Sequence, residues 1–342
     1  MAFQPLQAIP SPETIKEMIP LSQELAEQKA FRDQQIRELF LGKSDRFLLI
    51  IGPCSADHPD AVREYVTRLA RVQDDVKDKI LIVPRVYTNK PRTTGEGYKG
   101  MMHSPNPIKK PDLVEGIKAI RNLQIQIMKD SGLSAADEML YPMNLPYVDD
   151  LLSYIAVGAR SVENQKHRLV ASGIDIPVGM KNPTSGDLTV MLNSIRAAQI
   201  PHTFIFNNME VKSTGNPIAH AILRGAVNQH GQNIPNYHYE DLNILIHQYA
   251  KRGLENPAII IDCNHANSSK DFMEQPRIAL EVLANRRHNH SIENAVKGLM
   301  IESYLEDGNQ DLKSGIFGKS ITDACLGWGK TETLIYRLAD KL

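Results

Sequence analysis

Apolar residues along this chain fall in short dense runs, separated by longer stretches in which they recur every three or four positions. Eight of the dense runs read as strands: FLLIIGPCS (47–55), ILIVPRVY (80–87), ADEMLY (136–141), YIAVGAR (154–160), PVGMKN (177–182), HTFIFN (202–207), AIIIDCNHAN (258–267) and GLMIESYLED (298–307). Periodicity cannot separate a buried strand from a buried helix in runs this short, but β-branched content and flanking Gly and Pro favour strands. Helical spacing fills the intervals at 59–74, 112–130, 148–152, 161–172, 187–199, 239–253, 275–287 and 321–340. Strand and helix alternating eight times predict the α/β class and a (β/α)8 TIM barrel.

Two further segments modify that plan. Before Phe47 the pattern is helical. Ser11-Pro12-Glu13 places an N-cap before a proline at the first helical position. A second helix runs from about Ser22 to Leu41, with Ile36, Leu39 and Phe40 on one face and Gly42 as its stop. The stretch from about Asn208 to Tyr237, with Gly215, Gly225, Gly231, Pro217 and Pro235, reads as a hairpin inserted after strand six. The expected organisation is an N-terminal helical arm over 1–45 and a catalytic barrel over 46–342.

Composition narrows the class. With 39 Lys and Arg against 40 Asp and Glu, the formal charge is −1, which argues against a basic nucleic-acid binder. Three cysteines form no disulfide framework. No signal-peptide pattern opens the chain, and its longest strongly apolar run, Phe47 to Ile51, is far below the roughly 20 residues of a membrane helix. The expectation is a cytoplasmic protein with no nucleic-acid and no membrane partner.

Charge is concentrated where strands end. The runs end at Cys54, Arg85, Glu138, Arg160, Lys181, His265 and Glu302. In a barrel those ends share one face, which carries the active site. Any one of them alone reads more simply as a solvated strand end; seven in register do not. Cys54, His265 and Glu302, with Asp323 in ITDACLGW, offer a thiolate, an imidazole and two carboxylates. That donor set suits a divalent transition metal without selecting one, so Mn, Fe, Zn or Co all fit. Cys263 and Cys325 read as small buried residues. Arg85, Lys90, Arg92, Arg160, Lys181 and Arg224 fall at or just after strand ends, and their convergence implies anionic substrates. KPRTT (90–94) leads into GEGYKG (95–100), a Gly-rich segment without P-loop order. A metal beside two anion sites, with no nucleotide fingerprint, points to condensation of small phosphorylated metabolites.

The motifs GPCSADHP, PRVYTNKPRTT, GARSVENQ, GMKNPTSGD, LRG, DCNHANSSKDF, ESYLEDGNQ and SITDACLGW stand in the order found in one family. Over about residues 12 to 340 the chain resembles the type I 3-deoxy-D-arabino-heptulosonate 7-phosphate (DAHP) synthases. The resemblance implies condensation of phosphoenolpyruvate with erythrose 4-phosphate, the first shikimate-pathway step, by a homodimer or homotetramer. It implies Cys54, His265, Glu302 and Asp323 as metal ligands. It implies Arg85, Glu138, Ala159, Arg160, Lys181 and Arg224 around phosphoenolpyruvate, Glu138 by placing a water. It implies Lys90, Pro91, Arg92 and Thr93 at erythrose 4-phosphate, with Lys90 and His265 handling protons. KPRTT separates this family from the related octulosonate 8-phosphate synthases, which carry a KANR-like segment there. A non-catalytic metabolite sensor would lack ligands or cations that are all present.

Departures from the family pattern are local. GEGYKG stands where many members read VGWKG, and KNPTSG stands for KNGTDG. Asp175 and Leu145 occupy positions where feedback-inhibited members carry Ser and Pro. A buried carboxylate there is costly, so inhibition by Phe or Tyr is expected to be weak or altered.

Overall fold

A computed structural model describes residues 2–342. Eight parallel strands form one sheet: β1 (Phe47–Gly52), β2 (Ile80–Pro84), β3 (Ala135–Glu138), β4 (Leu152–Val157), β5 (Val178–Lys181), β6 (His220–Leu223), β7 (Ile259–Asp262) and β8 (Val296–Glu302). Each pairs with its neighbours in sequence, and β8 returns to β1 with Leu49 opposite Leu299. The remaining seam, β2 to β3, is closed by a parallel bridge between Arg85 and Ala136, where the Val86 N–H donates to the Ala136 carbonyl at 2.9 Å. The result is the expected (β/α)8 barrel.

Its strands are short and apolar on both faces because both faces are covered. Leu48, Ile50, Val83, Tyr154, Ile222 and Met300 point into the barrel core. Leu49, Ile51, Ile82 and Ile301 pack outward against the helices. Ahead of β1 lie α1 (Pro12–Met18) and α2 (Gln23–Phe40), capped by the Ser11 and Ser22 side chains. Ile36, Leu39 and Phe40 of α2 join the interior cluster rather than the outer layer, so this arm plugs one end of the barrel. Phe40 stacks on His220 with centroids 4.3 Å apart.

Three sequence expectations are corrected. HTFIFN is not the sixth barrel strand. Thr203–Phe206 pairs antiparallel with Met209–Lys212 in a hairpin of its own, and β6 is His220–Leu223. Burial explains the difference: Thr203 and Ile205 are open to solvent, whereas all four residues of β6 are buried. A small hairpin does follow the true sixth strand, Ala226–Val227 with Asn233–Ile234. The helix expected over 148–152 is replaced by a 3-10 turn at Pro142–Tyr147, where Pro146 removes a helical donor. The final helix runs Trp328–Lys341 and not from 321. The residues before it are held extended by bridges from Leu326 to Ser303 and Cys325 to Gly308. No helix among the described residues is long and apolar enough to cross a membrane.

Candidate active site

The ends of the barrel strands converge on a cavity of about 270 Å3. Its walls include Cys54, Arg85, Lys90, Pro91, Arg92, Glu138, Ala159, Arg160, Lys181, Arg224, His265 and Asp323. Of the residues singled out from sequence, Thr93 is exposed and Glu302 lies just behind the wall; neither lines the cavity.

On one side sits a compact donor group. Cys54 Sγ and one carboxylate oxygen each of Glu302 and Asp323 lie within 4.8 Å of one another. Three such atoms fit one dication at bond lengths of roughly 2.0–2.3 Å. His265 Nε2 stands 4.0 Å from Glu302 Oε1, beside this group but outside its tightest circle. His265 has φ +53, a left-handed conformation unusual for a non-glycine residue and typical of positions constrained by function.

Electrostatics keep these groups apart in protonation. Burial, then the Glu302 carboxylate, pushes the Cys54 thiol above its ordinary range. A bound dication reverses that balance, since it favours thiolate. Burial alone would raise Glu302, but Arg85, His265 and Lys90 outweigh it and hold the carboxyl below its usual value. Asp323 follows the same logic, with Lys270, His265 and Lys90 overcoming burial. Burial works against the Lys90 ammonium, yet Cys54 and Glu302 more than offset it and raise its pKa.

Cations adjoin this group. Arg85 reaches Pro53 and Cys54 carbonyls and Glu302 while its guanidinium lies 3.7 Å over the Tyr87 ring. Its Nε has no partner, and neither has the buried Nη1 of Arg224. Two buried guanidinium donors left free beside a polar cavity are positioned to receive an anion. Gly158, just past β4, leaves room for the Glu138 carboxylate in the cavity wall: a Cβ there would collide with it.

A model of the DAHP synthetase I family matches residues 20–335. The chain belongs to that family. It is 39% identical over 338 residues to the Phe-sensitive phospho-2-dehydro-3-deoxyheptonate aldolase of Escherichia coli (strain K12), covering 96% of this chain and 93% of that one. It is 36% identical to the Tyr-sensitive aldolase of the same strain, covering 98% and 94%. The solved phospho-2-dehydro-3-deoxyheptonate aldolase of Francisella tularensis SCHU S4 superposes with a TM-score of 0.92 at 32% identity, over 99% of this chain and 98% of that one.

In this member of the DAHP synthetase I family the cavity also draws on residues that the sequence reading missed. Thr184, Val227, Lys270 and Thr322 line it, and Lys270 Nζ pairs with Asp323 Oδ1 at 3.1 Å. Lys270 lies inside the DCNHANSSKDF segment but beyond the strand end, where strand-end reasoning does not look. A larger cavity, about 810 Å3, has Leu145, Asp175, Phe204, Phe206 and Val211 in its wall. Asp175 is exposed there rather than buried, so its desolvation cost arises only when a ligand covers it.

Proposed function

We propose that this chain condenses phosphoenolpyruvate with erythrose 4-phosphate and water to give DAHP and phosphate, opening the route to aromatic amino acids. The observation that supports this most directly is that the Cys54, Glu302 and Asp323 donor group and unpartnered arginine donors meet at one cavity.

Cys54, His265, Glu302 and Asp323 hold a divalent ion, of which Mn, Fe, Zn and Co suit the donors. When bound it supplies Lewis-acid polarisation of the aldehyde carbonyl. Arg85, Arg160, Lys181 and Arg224, with the backbone of Ala159, hold phosphoenolpyruvate; Lys90, Pro91 and Arg92 meet erythrose 4-phosphate. These cations neutralise two phosphorylated anions so that C3 of phosphoenolpyruvate approaches the aldehyde carbon. Water, placed by Glu138, adds at C2, and the C2–O bond to phosphate then breaks. Lys90, between the two substrates, and His265 handle protons. The 1–45 arm and 46–342 barrel work in a homodimer or homotetramer, a reading supported by the exposed Phe31, Ile205 and Met209.

Phosphate release from phosphoenolpyruvate, with erythrose 4-phosphate or arabinose 5-phosphate, tests this reading. Release is expected with erythrose 4-phosphate, loss with EDTA and recovery with Mn. No release with erythrose 4-phosphate after Mn is restored, or preference for arabinose 5-phosphate, overturns it.

A further inference from the structure

Asp262 closes β7 and is 1% exposed, yet it does not line the cavity and so touches no substrate there. One of its oxygens serves two sides of the site. Lys181 Nζ donates to Asp262 Oδ2 at 2.9 Å. His265 Nδ1 stands 2.9 Å from that same oxygen, off the axis of a hydrogen bond, and has no other partner. The other oxygen is engaged separately, accepting the Asn264 N–H at 3.1 Å. The Asp262 carbonyl accepts from Asn267 Nδ2 at 2.9 Å, which fixes the backbone at this point. A fully buried carboxylate persists only with compensating partners, and here the partners are two site residues reached from different strands.

We propose that Asp262 is a positioning residue that couples the metal half of the site to the anion half, orienting His265 and Lys181 through one shared oxygen. The proposal rests on the preceding reading, in which His265 binds the metal and Lys181 binds phosphoenolpyruvate. The geometry makes the coupling specific. A carboxylate beside Nδ1 favours the tautomer that carries its hydrogen there, which leaves the Nε2 lone pair, 4.0 Å from Glu302, on the metal side. Carboxylates behind metal-binding histidines act in this way. His265 sits in a left-handed backbone conformation, which persists only where the surrounding structure fixes it. Lys181 meanwhile has its ammonium drawn to the same oxygen and held 6.0 Å from the Tyr87 ring centroid. Removing the charge of Asp262 therefore loosens both groups together, which no residue belonging to only one half would do.

Asp262→Asn keeps the size and removes the charge. Metal affinity is read on metal-stripped protein by competition with a chromophoric chelator, and phosphoenolpyruvate affinity by equilibrium dialysis. The expected result is metal binding weakened roughly 10–100-fold, with phosphoenolpyruvate binding weakened in the same variant. His265→Ala and Lys181→Met serve as controls, each expected to lose one affinity. If Asp262→Asn loses neither or only one, the coupling is overturned. If His265→Ala binds metal normally, it is the underlying reading that fails. Nitrogen-15 spectra of His265 in the unsubstituted metal-free protein supply a check that needs no variant. The Nδ1–H tautomer is expected, and the Nε2–H tautomer overturns the proposal.

Discussion

Arg85 Nη2 donates to Glu302 Oε1 at 2.9 Å, and both side chains are 1% exposed. A cation proposed to hold substrate phosphate is thus paired with a carboxylate proposed to hold metal. The pair is costly to break, because the remaining charge stays buried. Arg85→Ala is expected to destabilise the metal-free protein by about 3–5 kcal/mol. Adding Glu302→Gln should restore part of that loss. Urea denaturation of the single and double variants checks both, and strictly additive effects would show that the two charges do not interact.

Cys54 sits at the end of β1 with its thiol buried and facing Glu302 and Asp323. Cys54→Ala should leave a folded barrel that no longer retains a divalent ion and has lost turnover. Metal content after gel filtration, beside a circular dichroism spectrum, decides this. Full metal occupancy in a folded variant would remove Cys54 from the ligand set.

Lys90 carries its charge into the wall of the cavity, with Cys54 and Glu302 stabilising it. Lys90→Ala should lower kcat by roughly 10²–10⁴, the range of a positioned proton-transfer group, without changing the melting temperature by more than a few degrees. A raised KM with unchanged kcat would restrict Lys90 to charge steering.

His220 makes the fold pH-sensitive from the other end of the barrel. Its Nδ1 donates to the Ile218 carbonyl at 2.9 Å, so Nε2 accepts from the Tyr154 hydroxyl at 2.7 Å in the neutral ring. Burial lowers its pKa to about 4. The unfolded chain binds this proton near pH 6.5 and the folded chain only near pH 4, so the unfolded state holds more protons in between. Stability therefore falls as pH drops through that window, by about 3 kcal/mol from this group. His220→Gln should flatten the slope of unfolding free energy against pH between those limits. Asp137, raised to about 7 by burial, contributes in the opposite sense. The difference between parent and variant isolates His220, and identical slopes would refute its role.

Asp175 places an exposed carboxylate in the wall of the large cavity that Leu145 and Phe204 share. A ligand that covers it must strip water from that carboxylate, a cost that Ser at this position would not carry. Inhibition of turnover by Phe or Tyr is expected only at high concentration, and Asp175→Ser should strengthen it. Potent inhibition of the unsubstituted enzyme by either amino acid would contradict this reading.

How far the sequence reached varies with the residue. Cys54, Arg85, Glu138, Lys181 and Glu302 were legible because a buried strand is apolar and a charge at its end has one place to go. The Ser11 cap was legible because capping is local. The sixth strand was not. HTFIFN has the stronger β composition, and only the ring of eight partners shows that the four residues of His220–Leu223 fill the gap between β5 and β7. Asp262 and Lys270 escaped notice for a related reason: their roles depend on partners 81 and 53 residues away.

The chain by itself determined the alternation of strand and helix, the arm, and the kinds of chemical group at each strand end. These follow from local preference and from the period of apolar positions, which every residue expresses with its near neighbours. Tertiary structure alone decided which strands close the barrel, that Phe40 of the arm fills its core, that Thr93 stays outside the cavity, and that one Asp262 oxygen faces both His265 and Lys181. Those outcomes depend on burial and on distances of a few ångströms between residues far apart in sequence, and no local pattern encodes them.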